Sequence, residues 1–314
     1  MRKKALVVGV GGQDGYYLSA NLTGHGYEIW GIERKGLRGP HDRLPKSFNL
    51  IDGEDWIRLM DKVSFDEIYY LAAAHHASED RHKAAGLGAW RESWATHVEG
   101  WVACLEALRQ KRPSCRSFYA ASSLVFGCPL HSPQDEQTPF RPDTIYGTTK
   151  AAGFSVALHY RQHHGLYTST GLLYNHESPR RPTNFVSQKI VQGLANVKRG
   201  QREALTLECL DAVVDWGYAP DYVDAMRETL QPKTSDDYVI ATGQPHTVAD
   251  FAREVCRLMG LDMSEVVREK NRRSATCHRG AVLIGNPTKL QRTTGWTPTT
   301  EFKEMIFKLV EAAL

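Results

Sequence analysis

No apolar run in the 314 residues approaches the ~20 residues that a membrane-spanning helix requires, which excludes a helical membrane protein. Charge of one sign is also scarce. The formal net charge is +3 with 24% of residues charged, too balanced for a chain that coats nucleic acid or an anionic membrane. The six cysteines, Cys104, Cys115, Cys128, Cys209, Cys256 and Cys277, include no Cys-x-x-Cys pair and no frame typical of a secreted domain, so reduced, cytoplasmic thiols are expected. The start, Met1-Arg2-Lys3-Lys4, leads into a strand and not into the apolar stretch of a signal peptide. No metal site is signalled: His75 and His76 are adjacent, and no carboxylate or thiol completes a ligand set. Repeats, low-complexity tracts and linker-like stretches are missing, which implies one compact unit.

What remains is an alternation of strands and helices. Ala5–Val8 form a short, wholly apolar run of the kind found in a parallel strand buried on both faces. A glycine-rich turn follows, then a helix from about Tyr16 to Thr23 and a strand over Tyr27–Ile32. Further strands are expected near 67–72, 116–121 and 168–174, with helices near 94–110 and 144–164. That order predicts an α/β fold, a doubly wound parallel sheet. After residue 176 the pattern weakens. Helical segments near 186–199 and 247–259 are separated by irregular stretches, and Pro179, Pro182 and Pro220 punctuate them. The expected division is a dinucleotide-binding unit over 1–175 and a smaller substrate lobe over 176–314, with some segments of the latter returning to the first unit.

Gly9, Gly12 and Gly15 fall between the first strand and the first helix. Glycine there permits a tight turn and lets the backbone approach a pyrophosphate, whose charge then faces a helix N-terminus. Gln13, Asp14, Leu71 and Ala72 join them as candidate cofactor contacts. Glu33, at the tip of the second strand, is placed to accept hydrogen bonds from an adenosine ribose, which favours NAD. Arg34 and Lys35 follow at once and suit a 2′-phosphate, which favours NADP. The choice stays open.

Tyr146 and Lys150 stand four residues apart on a predicted helix and so share a face. A nearby ammonium is expected to draw the phenol from its ordinary pKa of about 10 toward working pH. Tyr146 then takes a proton from a substrate hydroxyl as hydride leaves, or returns it in reverse. Lys150 also holds the nicotinamide ribose. Ser122, at the C-terminal end of the strand near 116–121, orients the substrate oxygen, at the sheet edge where open α/β folds bind ligands.

These residues belong to a wider pattern. Gly12-Gln-Asp-Gly-Tyr-Tyr-Leu18, Leu173-Tyr-Asn-His-Glu-Ser-Pro-Arg-Arg181, Asp215-Trp-Gly-Tyr-Ala-Pro-Asp-Tyr-Val223 and Gly295-Trp-Thr-Pro298 make the chain resemble the extended short-chain dehydrogenase/reductases that modify nucleotide sugars, and within them the GDP-mannose 4,6-dehydratase group. The resemblance spans nearly the whole chain. It implies a Rossmann domain, bound NAD(P) and a C-terminal lobe that grips a nucleoside-diphosphate sugar. By motif position it makes Ser122, Tyr146 and Lys150 the catalytic trio. Ser123, Asn175, Arg180, Lys189 and Arg279 are the candidate contacts to the nucleotide sugar.

The departures from that group matter equally. The glutamate that serves there as base or acid in water elimination is replaced by Leu124, and leucine exchanges no proton. The arginine before Asp-Trp-Gly is Val214. Around Cys277-His278-Arg279 the group's Arg-Pro-x-Glu-Val pattern is missing, with Arg273 or Arg279 as substitutes. Ala74-His75-His76 replaces Gln-Ser-His, extra residues intrude from Arg81 to Trp90, and His97 stands where an asparagine is usual. His75 and His76 are expected to be loop residues bonded to backbone, with a proton shuttle as the alternative. The stretch between Arg34 and Phe48 looks short, so a homodimer is expected, with a tetramer as the other possibility. The leading reading is an NAD(P)-dependent oxidoreductase or epimerase at C4 of a nucleotide-activated, GDP-linked sugar. The alternative is a 4,6-dehydratase in which another group replaces the glutamate; the third is an inactive dinucleotide-binding sensor.

Overall fold

Ala5 to Val8 are wholly shielded from solvent, as a strand covered on both faces must be, and they lie inside a seven-stranded sheet. The computed structural model describes residues 2–34, 36–39, 47–74, 86–270 and 282–314. The first half of the chain runs β1 (Lys4–Val8), α1 (Gln13–Gly24), β2 (Glu28–Glu33), β3 (Gly36–Arg38), α2 (Gly53–Lys62), β4 (Glu67–Tyr70), α3 (Leu87–Trp94), a π-helical turn (Ala95–Glu99), α4 (Gly100–Lys111), β5 (Arg116–Ala120), α5 (Ile145–His164) and β6 (Thr168–Leu173). The second half runs β7 (Asn175–Glu177), α6 (Val186–Lys198), β8 (Leu205–Leu207), β9 (Val213–Tyr218), α7 (Ala219–Glu228), β10 (Asp237–Ile240), β11 (Pro245–Thr247), α8 (Val248–Met259), α9 (Met263–Val266), β12 (Val267–Glu269), α10 (Thr288–Thr294) and α11 (Phe302–Glu311).

The main sheet has the order β10-β6-β5-β4-β1-β2-β3. Its strands are parallel except β3, which returns antiparallel to β2. This is the doubly wound α/β fold expected from the alternation. The chain leaves β1 first toward β2 and later crosses to β4 on the other side, so the order reverses between β1 and β4. That reversal opens a crevice beyond the C-terminal ends of the two strands, where such sheets bind ligands. α1 packs on α7, and α4 lies against both α2 and α5.

Two apolar cores result. The larger lies around the main sheet and includes Tyr222–Leu230, Tyr238–Ala241, Leu290 and Trp296 from the second half. The smaller joins α6, α8 and α11 around Ile190, Trp216, Phe251 and Ile306. A three-stranded sheet of order β11-β9-β7 and the pair β12-β8 complete the second half.

Two expectations need correction. The single helix over 94–110 is interrupted by the π turn at Ala95–Glu99. Hydroxyls from the sheet take carbonyls of this turn: Tyr70 donates to Thr96 O at 2.7 Å and Tyr119 to His97 O at 3.0 Å. Apolar periodicity does not register so local a change of winding. Secondly, Cys104, Cys115, Cys128 and Cys256 are free thiols, but Cys209 is disulfide-bonded, with its partner outside the described residues. Reduced thiols throughout were expected because no short-range spacing marked a bridge, and only the fold decides which distant sulfurs meet.

Candidate active site

A cavity of about 1130 Å³ lies in the crevice over β1, β4 and β5. The glycine turn and residues 173–177, 181–182, 184–186 and 213–215 are among those that line it. It brings together Gly9, Gly12, Gln13, Asp14, Gly15, Glu33, Arg34, Leu71, Ala72, Ser122, Ser123, Tyr146, Lys150 and Asn175 from the candidates named above.

The turn between β1 and α1 is built for close approach. Gly9 has φ +96°, and a Cβ there would stand 3.0 Å from Ala72 N; a Cβ on Gly15 would stand 2.3 Å from Gly9 O. Gly12 is the N-cap of α1 and supplies no side-chain cap, so the helix keeps amide donors for an anion. These residues fit a dinucleotide diphosphate. At the tip of β2, Glu33 is paired with Arg38 Nη2 at 2.7 Å, and a Cβ on Gly11 would meet its carboxylate at 2.8 Å. Arg34 is nearly fully exposed and lies 3.6 Å from Glu92. Lys35 lies outside the described residues.

Asp14, in the first turn of α1, meets His176 of β7 at 3.0 Å. Gln13 strengthens that junction: its amide donates to His176 O at 3.1 Å and accepts from Ser178 Oγ at 2.8 Å. His176 also stacks on Tyr222 with 4.7 Å between ring centroids. The glycine turn and the opposite wall are therefore joined side chain to side chain. His176 was not singled out from the sequence, although it sits inside the Tyr-Asn-His-Glu segment quoted above.

The start of α5 fixes the phenol. Thr144 caps the helix by accepting from Gly147 N at 3.0 Å. A Cβ on Gly147 would stand 2.4 Å from Leu124 O, so glycine lets α5 seat against the 3₁₀ turn at Ser123–Val125. Ser122, just before that turn, accepts from Leu124 N at 3.2 Å, and its hydroxyl favours the ionised form of the Tyr146 phenol. Lys150 is fully buried and donates to Ala120 O at 2.7 Å, with Nζ 5.7 Å from the Tyr146 ring centroid.

The expected lowering of the phenol's pKa is not what this geometry gives. Tyr146 keeps some accessible surface along the cavity, yet burial dominates and pushes its pKa well up; Arg181 and the Ser122 hydroxyl pull the other way. Burial also lowers Lys150 to about 7, so it is only partly an ammonium at neutral pH. The cation that acts most on the phenol is Arg181, not Lys150.

Arg181 also corrects the substrate candidates. Its Nε lies 3.4 Å from Glu177 and its guanidinium 3.7 Å over the Phe185 ring, and it lines the cavity. Arg180 is exposed and packs on the outer Tyr16 ring at 4.0 Å. Two adjacent arginines after a proline turn point apart, and only the turn's geometry, Arg181 N to Ser178 O at 3.0 Å, says which faces inward. Lys189, on α6, is likewise not among the lining residues, whereas Leu124, Val214, Phe185 and Leu283 are. His75, His76, Arg273, Cys277, His278 and Arg279 lie outside the described residues. Among those described, no cluster of three metal-ligating side chains occurs, and no helix is long and apolar enough to cross a membrane.

Residues 6–309 match the family model described as GDP-mannose 4,6 dehydratase. The chain is 31% identical to a GDP-mannose 4,6-dehydratase of Vibrio cholerae, over 99% of its own length and 93% of the relative's. It is 34% identical to GDP-mannose 4,6 dehydratase 2 of Arabidopsis thaliana, over 100% of the chain and 87% of the relative. Among solved structures it is similar in fold to RMD from Pseudomonas aeruginosa complexed with NADPH, at TM-score 0.83 and 19% identity, covering 99% of this chain and 98% of that one. It is similar also to the Thermus thermophilus UDP-glucose 4-epimerase in complex with NAD, at TM-score 0.79 and 21% identity, covering 98% of each.

Proposed function

The chain belongs to the GDP-mannose 4,6-dehydratase family, and on that premise we propose that it transfers a hydride at C4 of a GDP-linked hexose, using NAD or NADP, without eliminating water. The observation that carries this reading is that Ser122, Tyr146 and Lys150 line the same cavity as an uncapped glycine turn, beside leucine where the resemblance places a glutamate.

The bound nicotinamide supplies the hydride acceptor or donor and, when oxidised, a positive charge beside the phenol. Ser122 orients the C4 oxygen, and Tyr146 takes its proton in oxidation or returns it in reduction. Lys150, fixed on Ala120 O, would hold the nicotinamide ribose and share the proton load. Arg181, which lines the cavity and acts electrostatically on the phenol, takes the place of Arg180 as a contact to the nucleotide sugar. Ser123 and Asn175 complete that set. Elimination needs a further group to exchange the C5 proton, and Leu124 has none. Of the carboxylates lining the cavity, Asp14 is engaged with His176, Glu33 with Arg38, Glu92 with Arg34, Glu177 with Ser187 and Arg181, and Asp215 with Thr242, Gly243 and Gly285, while Asp143 takes a long contact from the Cys128 thiol at 3.9 Å.

A second reading is dehydration itself, favoured by the names of the relatives. Mass spectrometry of GDP-mannose incubated with the protein and NAD⁺ or NADP⁺ separates the two. Loss of two hydrogens, or unchanged mass with inverted stereochemistry, supports the C4 reading; loss of water overturns it. The same incubations rank the cofactors: Glu33 offers a carboxylate to a ribose hydroxyl, and Arg34 and Arg38 offer cations to a 2′-phosphate.

A homodimer completes the proposal. Leu87, Trp90 and Trp94 are 65%, 40% and 41% exposed at helical spacing along α3, an apolar stripe suited to a second copy. Trp90→Glu is expected to convert a dimer to a monomer in light scattering. A wild-type chain that is already monomeric overturns this part alone.

A further inference from the structure

His97 is wholly buried, and it sits inside the π turn, the one place where the α3–α4 helix is rewound. Two segments converge on it, the one after β4 and α5. Its Nε2 accepts from Ala74 N at 3.0 Å, just beyond β4. Its Nδ1 lies 2.7 Å from Thr149 Oγ1 on α5. Its ring meets the Tyr146 ring edge to face, with 5.2 Å between centroids and 87° between planes.

The hydrogen-bond directions are determined by the partners. A backbone N–H only donates, so Nε2 carries no proton. The Thr149 hydroxyl has one hydrogen, and its oxygen lies 2.9 Å from Ile145 O and 3.1 Å from Tyr146 O; both are acceptors. The hydroxyl hydrogen goes to them, and Oγ1 accepts from Nδ1–H. His97 is thereby a neutral imidazole with its proton on Nδ1.

The surroundings are shaped to hold it. Tyr119 donates to the His97 carbonyl at 3.0 Å. A Cβ on Gly153 would stand 2.0 Å from Tyr119 Oη and 2.8 Å from His97 O, so only glycine lets α5 lie this close to the turn. Thr149 is also wholly buried, between Tyr146 and Lys150 in sequence.

We propose that His97 is a positioning residue for Tyr146: as the Nδ1–H tautomer it ties the Ala74 end of β4 to the catalytic turn of α5, and its ring edge sets the plane of the phenol. It touches no reacting atom. Its kinetic consequence rests on the C4 reading above, but its structural core does not.

Nitrogen-15 NMR of histidine-labelled full-length protein, with the His97 signal identified by its loss in His97→Gln, reads the tautomer without substrate or cofactor. A protonated Nδ1 and a bare Nε2 at neutral pH are expected; a proton on Nε2 overturns the proposal. Because a change at His97 threatens folding, Thr149→Val is the second variant, nearly equal in shape and lacking the acceptor. It is expected to lower kcat by roughly 10-fold to 10²-fold, the scale of a misplaced catalytic group, while the KM for the nucleotide sugar changes less than about 3-fold. His97→Gln, which keeps an acceptor for Ala74 N–H, is expected to retain more activity than His97→Leu. A Thr149→Val protein with full kcat overturns the proposal, as does a Tyr146 ring signal in tyrosine-labelled protein that is the same in Thr149→Val and wild type. A wild type that turned over no nucleotide sugar would remove the C4 reading only, since the tautomer and the ring signal are read without turnover.

Discussion

His176 Nε2 stands 3.0 Å from each carboxylate oxygen of Asp14, joining the first turn of α1 to β7 across the mouth of the cavity. Burial on its own would raise Asp14, but His176 overrides it and holds the carboxyl at about 2. For His176 burial again opposes, and Asp14 raises its pKa above the ordinary value. Asp14 therefore contributes stability above its unfolded pKa of about 3.9, lost as pH falls through about 2. His176 contributes stability below about 6.5, lost as pH rises through its raised folded value. The pair is worth most between about pH 4 and 6.5, where both are charged, by an amount of order 2 kcal/mol. Denaturant unfolding should show His176→Gln costing clearly more near pH 5.5 than near pH 8.5. An equal cost at both would mean that the junction is not ionic.

Tyr146 is protonated in the cofactor-free chain, since burial raises its pKa well above the ordinary phenol. The wild-type minus Tyr146→Phe ultraviolet titration should be flat up to about pH 10, and a phenolate signal should appear at lower pH once NAD⁺ or NADP⁺ is added. Tyr146→Phe should also lower kcat by about 10²–10⁴-fold, the usual range for a lost general base, with cofactor affinity changed less than about 3-fold. Full turnover in the phenylalanine variant would remove Tyr146 from the chemistry.

The glycine turn makes opposite forecasts for two alanine substitutions in one helix. Gly15→Ala drives a methyl to 2.3 Å from Gly9 O and 2.6 Å from Val10 Cα, all backbone, so the turn must open. Cofactor affinity and melting temperature should both fall. Gly24→Ala, in the last turn of α1 with nothing within 4 Å, should be neutral or stabilise by about 0.4–1 kcal/mol through the unfolded chain. Thermal melts with and without cofactor decide both.

The strand–helix alternation and the position of the phosphate turn were legible because each follows from local pattern: an apolar run at Ala5–Val8, glycines directly after it, then a helix. Tyr146 and Lys150 were legible as a pair because four residues on a helix share a face. What chain pattern did not carry was direction. Arg180 and Arg181 have the same chemistry and neighbouring positions, and a single turn at Ser178 decides which one reaches the cavity. The sign of the Tyr146 shift was misjudged for a related reason, since a spacing shows that a lysine is near but not that both groups are dry. The π turn at Ala95–Glu99 and the Cys209 disulfide depend on contacts with distant segments, which no window of sequence contains.

Leu124 carries the distinction between hydride transfer alone and dehydration. Its side chain lines the cavity, two residues from Ser122, on a turn pinned by Leu124 N to Ser122 Oγ at 3.2 Å. Leu124→Glu places a carboxylic acid there with no change of backbone. The dry surroundings should raise its pKa toward neutrality, which suits a group that must both take and give a proton. Incubated with GDP-mannose and cofactor, the variant should form a product that has lost water and gained solvent deuterium at C5, neither of which wild type should show. A Leu124→Glu protein that folds, keeps C4 turnover and forms no such product would mean that position 124 does not face C5. Wild-type dehydration, by contrast, would mean that another acid acts there, with Asp143, which lines the cavity and among the described residues has only the long Cys128 contact, the first to replace by asparagine.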